Sequence, residues 1–249
     1  MPRYKLKIEY DGSDFVGWQR QKNGITVQEV IEQAVKKYCQ TIVIVHGAGR
    51  TDTGVHAIGQ VAHIDLPKDD DSKIVRNALN AHLRDYAVVI LEVNKVNDSF
   101  HARFDAYERV YKYYISNRKV PLVIDNNRYW WFPRNINISK MQKACRYLIG
   151  KHDFTSFRSS ACQAISPVKT INDIKIKNLS EKIEIIFTAP SFLHHQVRNI
   201  VGSIAMVGIG KWEPEDIKKV LDAKDRKKAG LSAPACGLYL TSVKYKDDN

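Results

Sequence analysis

A glycine-rich stretch at residues 47–57, GAGRTDTGVHA, holds the side chains best suited to chemistry. It places one carboxylate, Asp52, and one guanidinium, Arg50, among three glycines. Glycine lets a backbone turn sharply or approach a partner closely. From the residues alone, three roles remain open for Asp52: a nucleophile, a general base, or a cap for the amides of its own turn.

Two phosphate-binding motifs are excluded in this stretch. The dinucleotide fingerprint G-x-G-x-x-G needs its third glycine at the position of Asp52. A P-loop needs Lys and then Ser or Thr after Gly54, where Val55 and His56 stand instead. The plainer alternative is a glycine-rich hairpin in which the aspartate only stabilises the turn.

Two further side chains are candidates for substrate contact. Tyr111 lies at alternating spacing with other tyrosines in a predicted strand, where most such residues pack in a core or across strands. Arg198 lies one helical turn after His194 on a helix whose other face is apolar. Its alternatives are a solvated face or a structural ion pair.

The sequence predicts no metal centre. His194 and His195 are adjacent, so on a helix they point about a hundred degrees apart. The HExxH, EF-hand and zinc-deaminase signatures are absent. The four cysteines form no CxxC pair, which disfavours a zinc ribbon or a redox motif.

Composition indicates a folded protein with a polyanionic partner. The 249 residues suit one large or two small domains, and 44% of them are hydrophobic. The formal net charge is +12, with 39 Lys and Arg against 27 Asp and Glu, which points to nucleic acid. No apolar run suits a bilayer and no signal peptide precedes the first strand, so we expect a cytoplasmic protein without a membrane partner.

Hydrophobic periodicity in the first part of the chain predicts alternating strands and helices. Residues 4–10 alternate in polarity, which is typical of a half-buried strand. Thr26 and Glu29 form a capping box before a helix with one apolar face. Further strands are predicted at 41–45, 60–66 and 88–96, and a second helix opens at 69–72. The order β-α-β-β-α-β is ferredoxin-like.

A similar order begins again near residue 107. The predicted strands lie at 107–116, 129–132, 171–177, 183–189 and 238–245, and helices begin near Ser139, Val197 and Pro214. We therefore predict an α+β fold with two ferredoxin-like halves, whose mostly antiparallel sheets lie side by side with a basic cleft between them. The predicted domains are 1–104, which carries the glycine-rich loop, and 105–249, which carries Tyr111.

The glycine-rich stretch resembles the signature of the tRNA pseudouridine synthase A family. Residues 49–57 fit the form G-R-T-D-x-G-V-H-A at every fixed position. Further matches follow in the family's order over nearly the whole chain. They are YDG at 10–12 with F-x-GWQ at 15–19, FHAR at 100–103, VYKY at 110–113, GKHDFTSFR at 150–158, SPV at 166–168, FLHHQVRNIVG at 192–202 and GLYL at 237–240.

The resemblance implies an isomerase that converts uridine to pseudouridine in tRNA. The family acts at positions 38, 39 and 40 of the anticodon stem-loop, by base flipping and without a cofactor or metal. It also implies a homodimer that cradles the RNA across both subunits. Two rivals remain: an RNA-binding module without catalysis, and a pseudouridine synthase that acts on other RNA.

The resemblance also assigns roles to the candidate residues. Asp52 matches the family's nucleophile, and Tyr111 matches the tyrosine that stacks on the target base and serves as a proton acceptor. Arg50 is expected to enter the stem where the uridine leaves. Arg198 is expected to bind substrate and to keep Asp52 charged if it lies near, because an opposite charge lowers the pKa of a carboxylate.

Two positions depart from the family pattern. Lys169 stands where arginine is more common, and lysine cannot make a planar bidentate contact. Val110 replaces the basic residue usually found before the tyrosine, which removes one expected phosphate contact.

Overall fold

The computed structural model describes residues 1–246, which fold into two compact units. Unit 1 comprises Met1–Arg109 and the chain from Tyr239 onward, and unit 2 comprises Val110–Leu238. The predicted domains, 1–104 and 105–249, differ from these units at two places. The division falls a few residues later, and the last strand belongs with unit 1 because it pairs there.

Unit 1 combines a mainly antiparallel set of strands with two helices. In chain order its elements are β1 (Arg3–Tyr10), α1 (Val27–Cys39), β2 (His46–Gly47), β3 (His56–Asp65), α2 (Ser72–His82), β4 (Val88–Val96) and, at the end of the chain, β11 (Leu238–Tyr245). β1 pairs antiparallel with both β3 and β4, and β2 pairs antiparallel with β3. β11 pairs parallel with the start of β3. The first half has the element order β-α-β-β-α-β, as predicted, but its second strand is His46–Gly47 rather than residues 41–45.

Periodicity and caps explain these elements. Every second residue of β1 is buried, as the alternation predicts. α1 begins after Thr26, whose hydroxyl accepts a hydrogen bond from the Glu29 amide at 3.3 Å. The same helix buries one apolar face, made of Val27, Val30, Ile31, Ala34 and Val35.

The predicted strand at residues 41–45 is wrong, because only β2 pairs with β3 in this region. The alternation itself is real, since Val43 and Val45 are buried. Side chains of α1 satisfy this backbone in place of a partner strand. Gln28 Nε2 donates to the Val45 carbonyl at 3.1 Å, and the Val45 amide donates to Glu32 Oε1 at 3.2 Å. Chain without a partner strand therefore leads to β2 and the glycine-rich loop.

Unit 2 is also a mixture of strands and helices. In chain order its elements are β5 (Ala106–Ser116), within which the division between units falls, β6 (Trp130–Trp131), α3 (Ile138–Arg146), β7 (Gly150–Asp153), β8 (Val168–Ile171), β9 (Asp173–Leu179), β10 (Lys182–Ala189), α4 (Gln196–Gly208) and α5 (Pro214–Ala223). β9 and β10 form the predicted antiparallel hairpin. β7 and β8 pair separately.

One predicted helix start needs correction. α3 is capped by Asn137 rather than Ser139, because Asn137 Oδ1 accepts a hydrogen bond from the Lys140 amide at 3.0 Å. α5 begins at Pro214 as predicted, since the missing amide of proline is tolerated in the first turn. The α+β class is confirmed, while the paired ferredoxin-like halves and the basic cleft stay predictions.

Membrane crossing can be judged for the described part of the chain. None of its helices has both the length and the apolar character that a bilayer crossing requires.

Unit 1 contains a cluster of three histidines, of which His63 is buried, His101 is half-buried and His46 is exposed. His46 of β2 and His63 of β3 lie opposite each other, with stacked rings whose centroids are 4.8 Å apart. The His101 ring meets His63 edge-on at 4.7 Å. Burial, and then the positive charge of His46 and Arg3, lowers the pKa of His63 from 6.5 to about 4. His63 is therefore neutral at neutral pH.

We predict that His63 makes unit 1 sensitive to acid. The unfolded chain binds this proton near pH 6.5 and the folded chain only near pH 4, so the free energy of unfolding falls as pH drops between these values. The loss attributable to His63 is at most about 3.5 kcal/mol, since one pKa unit corresponds to ~1.4 kcal/mol.

The variant His63→Asn tests this, because Asn Oδ1 can still accept the hydrogen bond that the Ala102 amide now donates to His63 Nδ1. Urea unfolding of both proteins at about pH 7 and about pH 5 should show a smaller loss of stability in the variant. Equal losses in the two proteins would contradict the assignment.

Candidate active site

The loop that carries Asp52 connects β2 to β3, and its first part is held by buried side chains. The Ala48 amide donates to the Val61 carbonyl at 2.7 Å. Arg109 Nη2 donates to the Ala48 carbonyl at 3.0 Å, and Gln60 Nε2 donates to the Gly49 carbonyl at 2.9 Å. Successive carbonyl oxygens immediately before Arg50 therefore have fixed donors.

The segment after β1 holds the middle of the loop. The Trp18 amide donates to the Thr51 carbonyl at 3.1 Å. The hydroxyls of Tyr10 and Thr51 share a buried hydrogen bond of 2.7 Å. Gly17 has φ +108°, and a Cβ there would lie 2.7 Å from the Thr51 carbonyl oxygen. A larger residue at position 17 would push this segment away from the loop.

Asp52 opens a tight turn. The Val55 amide donates to the Asp52 carbonyl at 3.1 Å, which closes a four-residue turn. Gly54 is the third residue of this turn and has φ +75°. That position needs a positive φ in several turn types, which glycine adopts without strain. Asp52 is half-buried, and Arg50 in the same loop is exposed. The structure thus brings these two predicted site residues into one loop.

His56 anchors the end of the loop. Its ring is buried, stacks on Tyr239 at 4.6 Å, and accepts a hydrogen bond at Nδ1 from the Gly12 amide at 3.0 Å. Asp11 Oδ1 also lies 2.9 Å from Nδ1. Nδ1 therefore lies within hydrogen-bond distance of a backbone donor, the Gly12 amide, and of a carboxylate oxygen, Asp11 Oδ1.

Tyr111 and Arg198 lie in unit 2. Tyr111 is buried on β5, and its ring meets Phe192 at a centroid distance of 5.2 Å and an angle of 87°. Arg198 is half-buried on α4. Arg198 Nε donates to the Ala233 carbonyl at 2.8 Å, while the Ala233 amide donates back to the Arg198 carbonyl at 3.1 Å. These contacts fix the ring plane of the tyrosine and the direction of the guanidinium.

Sequence reasoning missed several residues that shape these groups. Arg109 and Gln60 hold the loop backbone, His56 anchors its end, and Phe192 packs on Tyr111. A signal existed for Arg109, because alternation places it on the buried face of β5. A buried arginine needs hydrogen-bond partners, although the sequence does not show which ones.

One cluster in unit 1 has the composition of a metal site. Ring nitrogens of His46, His63 and His101 lie within 4.8 Å of one another. However, His63 Nδ1 accepts a hydrogen bond from the Ala102 amide at 3.2 Å, and His101 Nδ1 accepts one from the Arg103 amide at 3.1 Å. In a neutral ring the other nitrogen then carries the proton, so a metal would have to displace an amide or a proton. The hydrogen bonding favours packing over ligation.

Comparison of the sequence with known proteins assigns the chain to a family. The sequence model described as "tRNA pseudouridine synthase" matches residues 7–105 and 144–246. Among solved structures, a chain titled "Crystal Structure of a Cbf5-Nop10-Gar1 Complex" aligns with 97% of this chain and 50% of its own length, at 12% identity and a TM-score of 0.39. That structural similarity is too weak to bear on the fold.

Three relatives named tRNA pseudouridine synthase A are similar over nearly the full chain. The protein of Paramagnetospirillum magneticum is 51% identical over 98% of this chain and 96% of its own length. That of Rhodospirillum rubrum is 47% identical over 98% and 88%, and that of Parvibaculum lavamentivorans is 50% identical over 99% and 100%. The family model covers most of the sequence and the relatives share about half of their residues, so the chain belongs to the tRNA pseudouridine synthase A family of isomerases.

Proposed function

We propose that this protein isomerises uridine to pseudouridine in tRNA at positions 38, 39 and 40 of the anticodon stem-loop, with Asp52 as the nucleophile. The observation that carries the proposal is the loop itself. It keeps the complete signature at residues 49–57 and presents Asp52 on a turn that is hydrogen-bonded on both sides.

The chemistry needs little beyond a positioned carboxylate. The bond between ribose C1′ and uracil N1 breaks, the uracil turns, and C5 bonds to C1′. C5 then loses its proton, and N1, which no longer carries the ribose, gains one. Atoms and oxidation state balance without a redox agent or cofactor. An ionised aspartate can attack either C1′ or uracil C6 and leave again when the new bond has formed.

Tyr111 is the proposed platform for the flipped base. A uridine that leaves an RNA stem loses its stacking, and an aromatic ring restores part of it. The edge-on contact with Phe192 supports this role, because it holds the tyrosine ring in one plane before substrate binds. We further propose that the hydroxyl of Tyr111 accepts the proton from C5.

Arg50 and Arg198 are the proposed RNA contacts near the chemistry. Arg50 is exposed on the loop, where it can occupy the space that the flipped uridine leaves. The bond from Arg198 Nε to Ala233 orients the guanidinium plane in advance, which suits recognition of an anionic oxygen. Lys169 and Val110 offer less for phosphate contact than arginine or another basic residue would.

The remaining affinity is proposed to come from phosphate contacts of a strongly basic protein, with tRNA recognised by shape. We propose a cytoplasmic homodimer with RNA held across both subunits. The rival reading as a non-catalytic RNA-binding module is disfavoured because Asp52 and Tyr111 are both present. The relatives' names favour tRNA over other RNA.

The first prediction concerns Asp52. Asp52→Asn should lower tritium release from tRNA labelled at C5 of its anticodon stem-loop uridines by at least about 10³-fold, because the amide cannot act as the nucleophile. Binding of tRNA should persist. Asp85→Asn, an equal change of charge at an exposed position, should keep full activity. Turnover near wild type in Asp52→Asn would sink the nucleophile assignment.

The second prediction separates stacking from proton transfer. Tyr111→Phe keeps the ring but loses the hydroxyl, so the single-turnover rate should fall by about 10²-fold or more while tRNA affinity holds. Tyr107→Phe removes an exposed hydroxyl from the same strand and should leave the rate unchanged. Full activity in Tyr111→Phe would remove the proton-acceptor role and leave stacking as the tyrosine's contribution.

The third prediction concerns salt. The association constant for tRNA should fall by about 10³-fold between roughly 50 and 200 mM salt, because phosphate contacts release counterions. Filter binding with the Asp52→Asn protein measures this without turnover. An affinity that stays level over this range would contradict binding through a basic surface.

A further inference from the structure

Two buried polar side chains donate hydrogen bonds to the two consecutive backbone carbonyls just before Arg50. Arg109, only 9% exposed, donates to the Ala48 carbonyl, and Gln60, fully buried, donates to the Gly49 carbonyl. They reach the loop from different strands, β5 and β3. The sequence motif that identifies the family includes neither residue.

The guanidinium of Arg109 ties three backbone segments together. Nη1 donates to the Ala106 carbonyl at 2.8 Å, and Nη2 donates to the carbonyls of Ala48 at 3.0 Å and Arg103 at 2.6 Å. A guanidinium has five N–H donors in one rigid plane, so a single side chain can donate to several carbonyls in fixed directions. Burying a charge is costly, so packing alone would favour an apolar side chain at this position.

Gln60 uses both ends of its amide. Nε2 donates to the Gly49 carbonyl at 2.9 Å, and Oε1 accepts a hydrogen bond from the Val61 amide at 3.1 Å. The bond from the Val61 amide holds the Gln60 side chain in place, so the bond from Gln60 Nε2 holds the Gly49 carbonyl in place. Little else in the loop is apolar and buried, since Ala48 and Val55 are its only such residues between 47 and 55. The path of the loop therefore depends on these hydrogen bonds.

We propose that Arg109 and Gln60 are positioning residues for the isomerisation, because they fix the backbone from which Arg50 and Asp52 project. This inference rests on the proposed function of Asp52. Neither side chain needs to touch RNA. A misplacement of about 1 Å at a reacting group can cost roughly 10²-fold in rate, so loosening the loop should act on the chemical step.

The test uses Arg109→Lys and Gln60→Met in the full-length protein. Lysine keeps the positive charge but lacks the planar set of N–H groups with which Arg109 donates to three carbonyls. Methionine keeps the approximate volume of Gln60 but has no hydrogen-bond donor. Single-turnover tritium release from C5-labelled tRNA should slow by about 10- to 100-fold at saturating enzyme. The dissociation constant for tRNA should change by less than about threefold, because neither side chain is proposed to contact RNA.

Arg3→Lys is the matched control. Arg3 is another partly buried arginine of unit 1, and it donates to the Phe100 carbonyl at 2.8 Å and to Asp65 at 2.7 Å without contacting the loop. Its rate should stay at the wild-type value even if its melting temperature falls. Circular dichroism establishes that each variant is folded before its rate is compared.

Wild-type rates in folded Arg109→Lys and Gln60→Met would overturn the inference, as would an equal slowing in Arg3→Lys. If Arg109→Lys fails to fold, Gln60→Met decides, because it acts on the Gly49 carbonyl alone. Asp52→Asn is run in the same assay. If Asp52→Asn stays active, the assignment of Asp52 as the nucleophile is refuted. If Asp52→Asn is inactive while Arg109→Lys and Gln60→Met are fully active, only the positioning role is refuted.

Discussion

Three carbonyl groups of the glycine-rich loop, those of Ala48, Gly49 and Thr51, receive hydrogen bonds from outside the loop, and this constraint organises the surroundings of Asp52. Carbonyls left without donors inside a protein are costly. Here the donors are Arg109 for the Ala48 carbonyl, Gln60 for the Gly49 carbonyl and the Trp18 amide for the Thr51 carbonyl. These donors come from β5, β3 and the segment after β1, so much of unit 1 is needed to hold one loop.

The same principle explains the chain that leads into the loop. Residues 41–45 form no strand, and Gln28 and Glu32 of α1 bond to the backbone of Val45 where a strand would ordinarily pair. β2 is therefore only two residues long, and β11 takes up parallel pairing at the other end of β3, opposite His56. Polar side chains replace part of the sheet ladder, so no long strand precedes the loop.

Local signals predicted most helices and strands but not their non-local partners. The bounds predicted for β4 and the start of α5 at Pro214 are confirmed, because alternation and proline placement are local properties. The wrong predictions, the cap of α3 and the strand at 41–45, arose where the local sequence is compatible with two structures. Asn137 and Ser139 are both sound caps, and alternation at 41–45 does not say which atoms will bond to that backbone. Asp52 is predicted from its motif, whereas the hydrogen bonds of Arg109 and Gln60 to the loop cannot be inferred from residue spacing.

The position of Arg109 has one more structural consequence. It lies two residues before Tyr111 on β5, and both side chains are buried on that strand. Residues two apart on a strand share a face and move together, because the backbone between them is extended and paired. A single strand thus carries both the guanidinium that supports the Asp52 loop and the ring proposed to stack on the target base. A slip of β5 by one residue would turn both away from their present face, so the register of this strand is under stronger constraint than its aromatic content alone suggests.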